Sequence, residues 1–450
     1  MDGQVIDGPL QVGCRPGTPW VLVWSMDCVG LRCSWSLCSR GGAPAVVGSQ
    51  SASAEPSPIG RGGHRPGCRV VGVGNNRLRG GAWALTATDN SQFARAIAWE
   101  DSSFDDSGRF PFRTFGASSD PVTFGGVGGA PLDGFRVDPS GEATESFLER
   151  TDTTAFIVLH GDDLLYEAYF NGSNREATQT SFSVAKSFTA TLVGIALEEG
   201  FISSLDDPLT DYLPELSERD PRFGDITLRH VITMSSGLGF REGSSPWDDP
   251  ANTYYGTDLR TAALTKTEIE VAPGREFHYN DWNLVLMGLV LERTTGMSLS
   301  AYMETRLWQP MGAEADGSWS LDSETSGYEK VFVGINARAV DFAKLGWLYL
   351  NEGRNGDVQV VPAAFVDEAT RVDTTTDPAS HYQYYWWIDE DRNSYYAQGD
   401  HCQYIYVAPA ADVVLVRHGR TCGDTDEVDV DWVEFLGGLV EWLGPQLTDA

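Results

Sequence analysis

The sequence predicts a mixed α/β fold in which one antiparallel sheet is assembled from both ends of the folded domain and is flanked by helices. Two hairpin patterns carry this prediction. Residues 155–170 read as two apolar strands about a Gly-Asp turn at 161–163, and residues 404–418 do so about a turn at 409–412. The segments between the hairpins are mostly helical in pattern, which indicates a helical subdomain. An amphipathic pattern over 432–443 predicts a closing helix.

Composition divides the chain of 450 residues into three parts. Residues 1–90 hold five acidic residues, eight arginines and five of the seven cysteines, with little periodic pattern. They are predicted to be a disordered extension or an artefact of start-site assignment. Residues 91–142 are rich in Gly, Ser and Pro and are predicted to be a linker with short elements. Residues 143–445 carry the periodic patterns and are predicted to form the folded domain.

The chain is strongly acidic, with 64 acidic and 32 basic residues and a formal net charge of -32. Such a charge repels nucleic acid, so a nucleic-acid partner is not expected. It suits a high-salt or extracellular setting, and equally a need for solubility alone. The apolar stretch at 20–31 lacks the basic flank of a signal peptide. We expect an exported or cell-envelope protein if the true start carries a signal, and a cytoplasmic protein otherwise.

Ser183 and Lys186 are the first candidates for chemistry. They begin a helical pattern that ends near Gly200, and residues three apart lie on one helical face, so the hydroxyl and the amine can touch. A helix N-terminus also favours negative charge on the serine oxygen. Of the four lysines, only Lys186 follows a serine at this spacing. The alternative interpretation is a helix-capping serine beside a surface lysine.

Tyr279 lies where a turn at 273–274 leads into an apolar helix at 284–291. A tyrosine at such a junction can point its hydroxyl into a cleft. Beside a lysine ammonium its phenol becomes more acidic, which suits proton transfer. The alternative is a tyrosine whose ring packs and whose hydroxyl lies in water.

The strand at 395–407 supplies a third element. Gly399 permits close approach of a backbone to a substrate. The backbone N–H groups of Ser183 and of a residue just after Gly399, beginning with Asp400, are candidates for an oxyanion hole. His401 is a candidate for substrate binding or proton transfer, with a purely structural histidine as the equal alternative.

Together these elements resemble the serine beta-lactamase and penicillin-binding-protein superfamily. The order Ser-x-x-Lys at 183–186, Tyr279 and a glycine-bearing strand at Gly399 is that of the superfamily. Residues 205–214 and 228–238 are similar to its class C and esterase branch. The Gly-x-His-x-Gln strand resembles 6-aminohexanoate-dimer hydrolases. The resemblance implies a beta-lactamase/transpeptidase-like fold, an acyl-serine mechanism with Lys186 as a neutral base, and no cofactor or metal.

Two departures from the superfamily pattern narrow the expected substrate. Asp281 stands where Tyr-x-Asn has asparagine, and Ala397-Gln398-Gly399 replaces Lys-Thr-Gly. The missing lysine normally holds the carboxylate of a beta-lactam or peptide, so small esters and amides are favoured over beta-lactams and D-Ala-D-Ala peptides. A third hypothesis is a non-catalytic sensor that acylates once. The oligomeric state is not predicted.

The remaining candidates concern the pocket and its framework. We predict substrate binding by Asp281, Gly399, Asp400 and His401. Trp247, Tyr254 and Tyr255, in a loop before Tyr279, are predicted to line the pocket. Cys402 and Cys422 lie on the two arms of the second hairpin, roughly opposite each other, which favours a disulfide and an oxidising compartment.

Overall fold

A computed structural model defines the fold. The structure describes residues 91–126, 132–137, 141–372, 378–423 and 430–448. The predicted extension at 1–90 lies outside the described residues. No helix in the described ranges is long and apolar enough to cross a membrane.

The described strands form three antiparallel sheets. The strands are β1 (Phe112–Phe115), β2 (Thr153–His160), β3 (Asp163–Tyr169), β4 (Gln179–Thr180), β5 (Gly317–Ser320), β6 (Ile335–Ala337), β7 (Arg354–Asn355), β8 (Val358–Gln359), β9 (Tyr382–Gln383), β10 (Trp386–Asp389), β11 (Ser394–Gly399), β12 (Gln403–Ala408) and β13 (Val413–Gly419). The large sheet has the order β3-β2-β13-β12-β11-β10-β9, and a smaller one has the order β1-β5-β6-β4. The predicted joining of both hairpins in one sheet is confirmed, because β2 pairs with β13.

Helices account for most of the remaining described structure. The α-helices are α1 (Gln92–Trp99), α2 (Thr144–Arg150), α3 (Ala185–Glu198), α4 (Leu209–Tyr212), α5 (Pro214–Arg219), α6 (Leu228–Ile232), α7 (Asp249–Tyr254), α8 (Leu259–Lys266), α9 (Asp281–Thr295), α10 (Leu299–Met303), α11 (Ala339–Leu350), α12 (Ala363–Thr370) and α13 (Trp432–Thr448). Those from α3 to α10 lie between the two hairpins in the chain and form the helical part of the predicted architecture.

The large sheet is buried on both faces. In β2 successive side chains point to opposite sides, so Ile157 joins the core shared with the helical part, while Phe156 and Val158 join the core under α13. On the first face α11 packs closely on the sheet, where a Cβ on Gly346 would lie 2.6 Å from a Val414 methyl group. The absence of a side chain at Gly346 therefore allows this helix to approach the strands.

Residues 92–126 differ from the predicted linker, because they pack as part of the folded unit. Strand β1 pairs with β5 in the smaller sheet. In α1 the side chain of Arg95 is buried, and its guanidinium donates to the carbonyl oxygen of Asp322. Burying an arginine requires acceptors from the rest of the protein. A composition rich in Gly and Ser does not reveal these long-range contacts.

Candidate active site

Ser183 lies in a short 3₁₀ turn, Phe182–Val184, that leads directly into α3. The turn follows β4, and the Ser181 N–H donates to the Ile335 carbonyl at 2.7 Å, which ties the approach to the smaller sheet. Phe182 adopts a φ of 44°, an unfavourable conformation for a residue with a side chain. The sequence predicted a simple helix start, whereas the structure begins with a strained 3₁₀ turn that presents the serine.

The Lys186 amine contacts the serine oxygen. Ser183 in the turn and Lys186 in the first turn of α3 are three residues apart and lie on one face, and Lys186 Nζ lies 2.9 Å from Ser183 Oγ. The same nitrogen donates to the Phe332 carbonyl at 3.0 Å and lies 2.8 Å from Asp281 Oδ1. The amine is therefore hydrogen-bonded to Ser183 and Phe332 and forms an ion pair with Asp281. Since Lys186 is 1% exposed, the alternative of a surface lysine is excluded.

Tyr279 completes this group. It immediately precedes Asn280, the N-cap of α9, whose side chain accepts from the Trp282 N–H at 2.9 Å and donates to the Leu238 carbonyl at 2.9 Å. These bonds hold the loop–helix junction. The Lys186 Nζ lies 4.9 Å from the centre of the Tyr279 ring, and the tyrosine hydroxyl is hydrogen-bonded with both Ser183 and Lys186.

Two opposing effects set the protonation of the site. Burial lowers the pKa of Lys186. Its interactions with the Asp281 carboxylate and then with Tyr279 outweigh the effect of burial, so the pKa lies above its ordinary value. Burial raises the pKa of Tyr279, and the Lys186 charge offsets this only in part. At neutral pH the resting site therefore holds a lysine ammonium and a tyrosine phenol. This differs from the neutral Lys186 that the sequence hypothesis assumed.

Gly399 brings the end of β11 against the nucleophile. A Cβ on Gly399 would lie 2.5 Å from the Ser181 carbonyl oxygen and 3.0 Å from the Ser183 nitrogen. No side chain fits there, because real Cβ atoms do not approach backbone so closely. The glycine was predicted to admit a substrate, and the structure shows that its closest neighbour is the backbone of the nucleophile turn. The residues after Gly399 are thereby held beside Ser183.

The turn after Gly399 is held from several sides. His401 and Cys402 both have positive φ values, of 57° and 59°. Arg417 donates to the carbonyl oxygens of both residues, at 3.1 and 2.6 Å. Cys402 is joined to Cys422 in a disulfide. These bonds stabilise a conformation that residues with side chains rarely adopt.

His401 contacts residues around Ser183 rather than the cavity. Its Nε2 lies 3.2 Å from the Ser102 carbonyl oxygen, and its ring centre lies 4.9 Å from that of Phe182. The preceding Asp400 accepts from the Ser102 hydroxyl at 2.8 Å and lines the cavity. His401 is absent from the described residues that line it. His401 therefore contacts Ser102 and Phe182, which line the cavity, while its predicted role in substrate binding or proton transfer stays a prediction.

A cavity of about 540 Å³ opens above Ser183. Its polar walls include Ser183 itself, with Asp281, Tyr254 and Tyr255 as the sequence predicted. Trp247 is not among the lining residues, because its ring packs 5.3 Å from that of Phe93 and the residue is 56% exposed. Apart from the two tyrosines, the ionisable side chains that line the described cavity are all carboxylic acids: Glu100, Asp101, Asp281 and Asp400.

A larger cavity of about 650 Å³ lies elsewhere, where α13 meets the sheet. Its lining includes His160, Arg392, Ser394 and Glu441 but no lysine among the described residues. Of these two cavities, the one above Ser183 is lined by a serine whose hydroxyl contacts a lysine amine, so it is the candidate active site.

Two parts of the site escaped the sequence analysis. The Phe332 carbonyl contacts Lys186 through backbone alone, so no side-chain motif marks it. Ala96, Glu100, Asp101 and Ser102 line the cavity although they precede the periodic part of the chain. Their only sequence signal was the expectation of short elements within the linker at 91–142.

Comparison with known proteins decides the family. The family model described as Beta-lactamase matches residues 143–432. The chain belongs to the beta-lactamase family. The predicted superfamily, fold and enzyme class are thereby confirmed: this family member is a serine hydrolase with a beta-lactamase/transpeptidase-like fold.

Named relatives include hydrolases of several kinds. The chain is 28% identical to 6-aminohexanoate-dimer hydrolase of Paenarthrobacter ureafaciens, over 61% of this chain and 74% of that one. It is 31% identical to Esterase EstB of Burkholderia gladioli, over 38% of this chain and 47% of the esterase. Among solved structures, a putative 6-aminohexanoate-dimer hydrolase from Bacillus anthracis has a TM-score of 0.68 at 23% identity, covering 77% of this chain and 94% of that chain.

Proposed function

We propose that this protein is an esterase or amidase in which Ser183 forms a covalent acyl intermediate with small substrates. One observation carries the proposal. A serine hydroxyl that faces a cavity lies 2.9 Å from a buried lysine amine, with a tyrosine hydroxyl bonded to both. A nucleophile, a base and a proton donor in mutual contact are the parts that acyl transfer requires.

The proposed base is the Lys186–Tyr279 pair after loss of one proton. Because both groups are protonated at rest, the reactive form is populated as the pH rises. The pair takes the Ser183 proton while Oγ bonds to the substrate carbonyl carbon. Tyr279 then donates a proton to the leaving alcohol or amine as the C–O or C–N bond breaks. Water then attacks the acyl carbonyl carbon while the pair takes a proton from that water. Ser183 Oγ regains a proton as its bond to the acyl carbon breaks and the acid departs.

The oxyanion of each tetrahedral intermediate needs backbone donors. The Ser183 N–H, and an N–H just after Gly399, are the proposed donors. Supporting this assignment, a Cβ on Gly399 would lie only 3.0 Å from the Ser183 nitrogen, which shows how near the two backbone segments are. The disulfide and Arg417 stabilise the second segment.

The charge of the cavity supports small neutral or cationic substrates. Four carboxylic acid side chains line it, with no lysine, arginine or histidine among the described lining residues. Residues 397–398 also lack the lysine that would bind a carboxylate. An anionic beta-lactam or peptide meets repulsion there. The acidic lining therefore favours an esterase or amidase over a beta-lactamase or D-Ala-D-Ala carboxypeptidase. Multiple turnover separates all of these from a sensor that acylates once.

Intact-mass analysis with a fluorophosphonate tests the nucleophile. The wild type gains one adduct and hydrolyses a panel of small esters and amides, whereas Ser183→Ala gains none and loses about 10³-fold or more in kcat. Ser244→Ala is the matched control, because Ser244 lines the same cavity. Full ester hydrolysis by Ser183→Ala overturns the proposal, as does faster turnover of nitrocefin than of esters.

We also propose that the protein works in an oxidising compartment outside the cytoplasm. The Cys402–Cys422 disulfide supports this location, because structural disulfides are rare in reducing cytosol. Trapping free thiols in intact cells and mapping them by mass tests it. Reduced Cys402 and Cys422 in the native source contradict this location.

A further inference from the structure

Residues 92–110, here called the N-terminal cap, lie outside the part of the chain that matches the family model. They nevertheless form one wall of the cavity above Ser183. Ala96, Glu100, Asp101 and Ser102 line it. A second part of the lining is formed by residues between 243 and 255, which include Tyr254 and Tyr255.

The cap is hydrogen-bonded to that second part of the lining. Tyr254 donates to Asp106, and Tyr255 donates to the Glu100 carbonyl oxygen. Arg95 donates to the Gly256 carbonyl oxygen at 3.4 Å, in a buried setting. Because these partners are buried or half-buried, the wall is part of the packed structure rather than a loose tail.

The cap is also bonded to the turn beside the nucleophile. The Ser102 hydroxyl donates to Asp400 at 2.8 Å, and the Ser102 carbonyl oxygen lies 3.2 Å from His401 Nε2. The cap is therefore held in place by bonds to two other segments that line the cavity. A packed wall in the same cavity as the nucleophile limits which substrates reach Ser183.

We propose that the N-terminal cap determines substrate size, with Ala96 as the residue whose small side chain leaves room for the part of the substrate that reaches this wall. The proposal rests on Ser183 being the nucleophile. Ala96 is the smallest side chain that the cap presents to the cavity, while its neighbour Ile97 is 40% exposed and does not line it. Ala96 thus faces the cavity, and Ile97 faces solvent.

Ala96→Leu and Ala96→Trp test this proposal, with Ile97→Trp as the matched control on the same helix. Two ester series are measured: 4-nitrophenyl esters of increasing acyl length, and acetates of increasing alcohol length. In at least one series we expect kcat/KM for the longest substrate to fall about tenfold or more relative to the shortest in Ala96→Trp, with a smaller fall in Ala96→Leu. Ile97→Trp should match the wild type in both series.

The outcomes separate this proposal from the proposed function. Within each series, a loss of kcat/KM that is the same for short and long substrates, or no loss at all, overturns the cap as a determinant of size. The same dependence on substrate length in Ile97→Trp also overturns it. Fluorophosphonate labelling of Ser183 in each variant reports an intact site, and Ala96→Leu serves if Ala96→Trp does not fold. Failure of the nucleophile assignment appears separately, as activity retained by Ser183→Ala.

Discussion

The carboxylate of Asp281 lies 2.8 Å from the amine of Lys186, which also donates to the Ser183 hydroxyl and the Phe332 carbonyl. The superfamily pattern has asparagine at this position, which would place a neutral amide there instead. An ion pair in a buried site strengthens the hold of the lysine on its proton. Asp281 therefore sets the pH at which the base becomes available.

Asp281→Asn should shift the rising limb of the pH profile to lower pH. Without the carboxylate, the effect of burial is offset less, so the pKa of Lys186 falls and the reactive form appears at lower pH. The measurement is kcat/KM for a small ester from pH 5 to 10. Asp400→Asn is the control, since Asp400 lines the cavity without contacting Lys186. A rising limb that stays in place or moves to higher pH contradicts the role of Asp281.

Tyr279→Phe should impair amides more than activated esters. An amine leaves only when protonated, whereas 4-nitrophenolate leaves without a proton. Loss of the Tyr279 hydroxyl therefore slows amide hydrolysis more than hydrolysis of the activated ester. We expect kcat for a small amide to drop about 10²-fold or more, with a smaller drop for 4-nitrophenyl acetate. Tyr382→Phe is the control, because its ring packs 6.0 Å from that of Tyr279. Equal losses for both substrates would argue against proton donation by Tyr279.

The acidic cavity should discriminate against anionic esters. At low salt we expect kcat/KM for 4-nitrophenyl hemisuccinate to be about tenfold lower than for 4-nitrophenyl butyrate, with a smaller difference at high salt because ions screen the carboxylates. Asp101→Asn should narrow the difference, since Asp101 lines the cavity. Glu218→Gln, at an exposed carboxylate outside the lining, should not. An unchanged preference across salt concentrations shows that the lining charges do not select the substrate.

Replacement of Cys402 and Cys422 by alanine should destabilise the fold. The bond spans 20 residues, and closing a loop of that length restricts the unfolded chain by about 3 kcal/mol. The double variant should therefore have a lower Tm than the wild type in thermal unfolding followed by circular dichroism. Added reductant should lower the wild-type Tm toward that of the variant and leave the variant unchanged. An equal effect of reductant on both proteins would show that the disulfide has no such role.

Lys330 should make stability depend on pH. Its side chain is fully buried and donates to the Tyr254 carbonyl; burial and then the Arg95 charge lower its pKa to about 7. In the unfolded chain its pKa is about 10.4. Between these values the unfolded state binds more protons, so this residue makes the free energy of unfolding rise with pH.

Lys330→Met removes this titration. The free energy of unfolding of the wild type minus that of Lys330→Met should increase between about pH 7 and 10, as measured by urea unfolding. Lys266→Met is the control at an exposed lysine, where the corresponding difference should stay flat. A difference that is constant or falls with pH for Lys330→Met means that the amine keeps its proton in the folded state.

The sequence by itself determined the parts of the fold that depend on local pattern. Apolar runs on both sides of the turns at 161–163 and 409–412 were sufficient for the two hairpins, because short apolar segments about a turn that contains Gly or Asp favour paired strands. The spacing of Ser183 and Lys186 was sufficient for their contact, because side chains three apart in a helical turn adjoin.

The tertiary structure decided what those residues can do. The contact of Asp281 with Lys186 depends on how α9 packs beside α3, and it changes the resting site from a neutral amine to an ammonium. Ser102 reaches Asp400 across a separation of 298 residues. Charge and burial act through space, so a local pattern identifies the reacting groups, while protonation and cavity shape follow only when distant segments pack together.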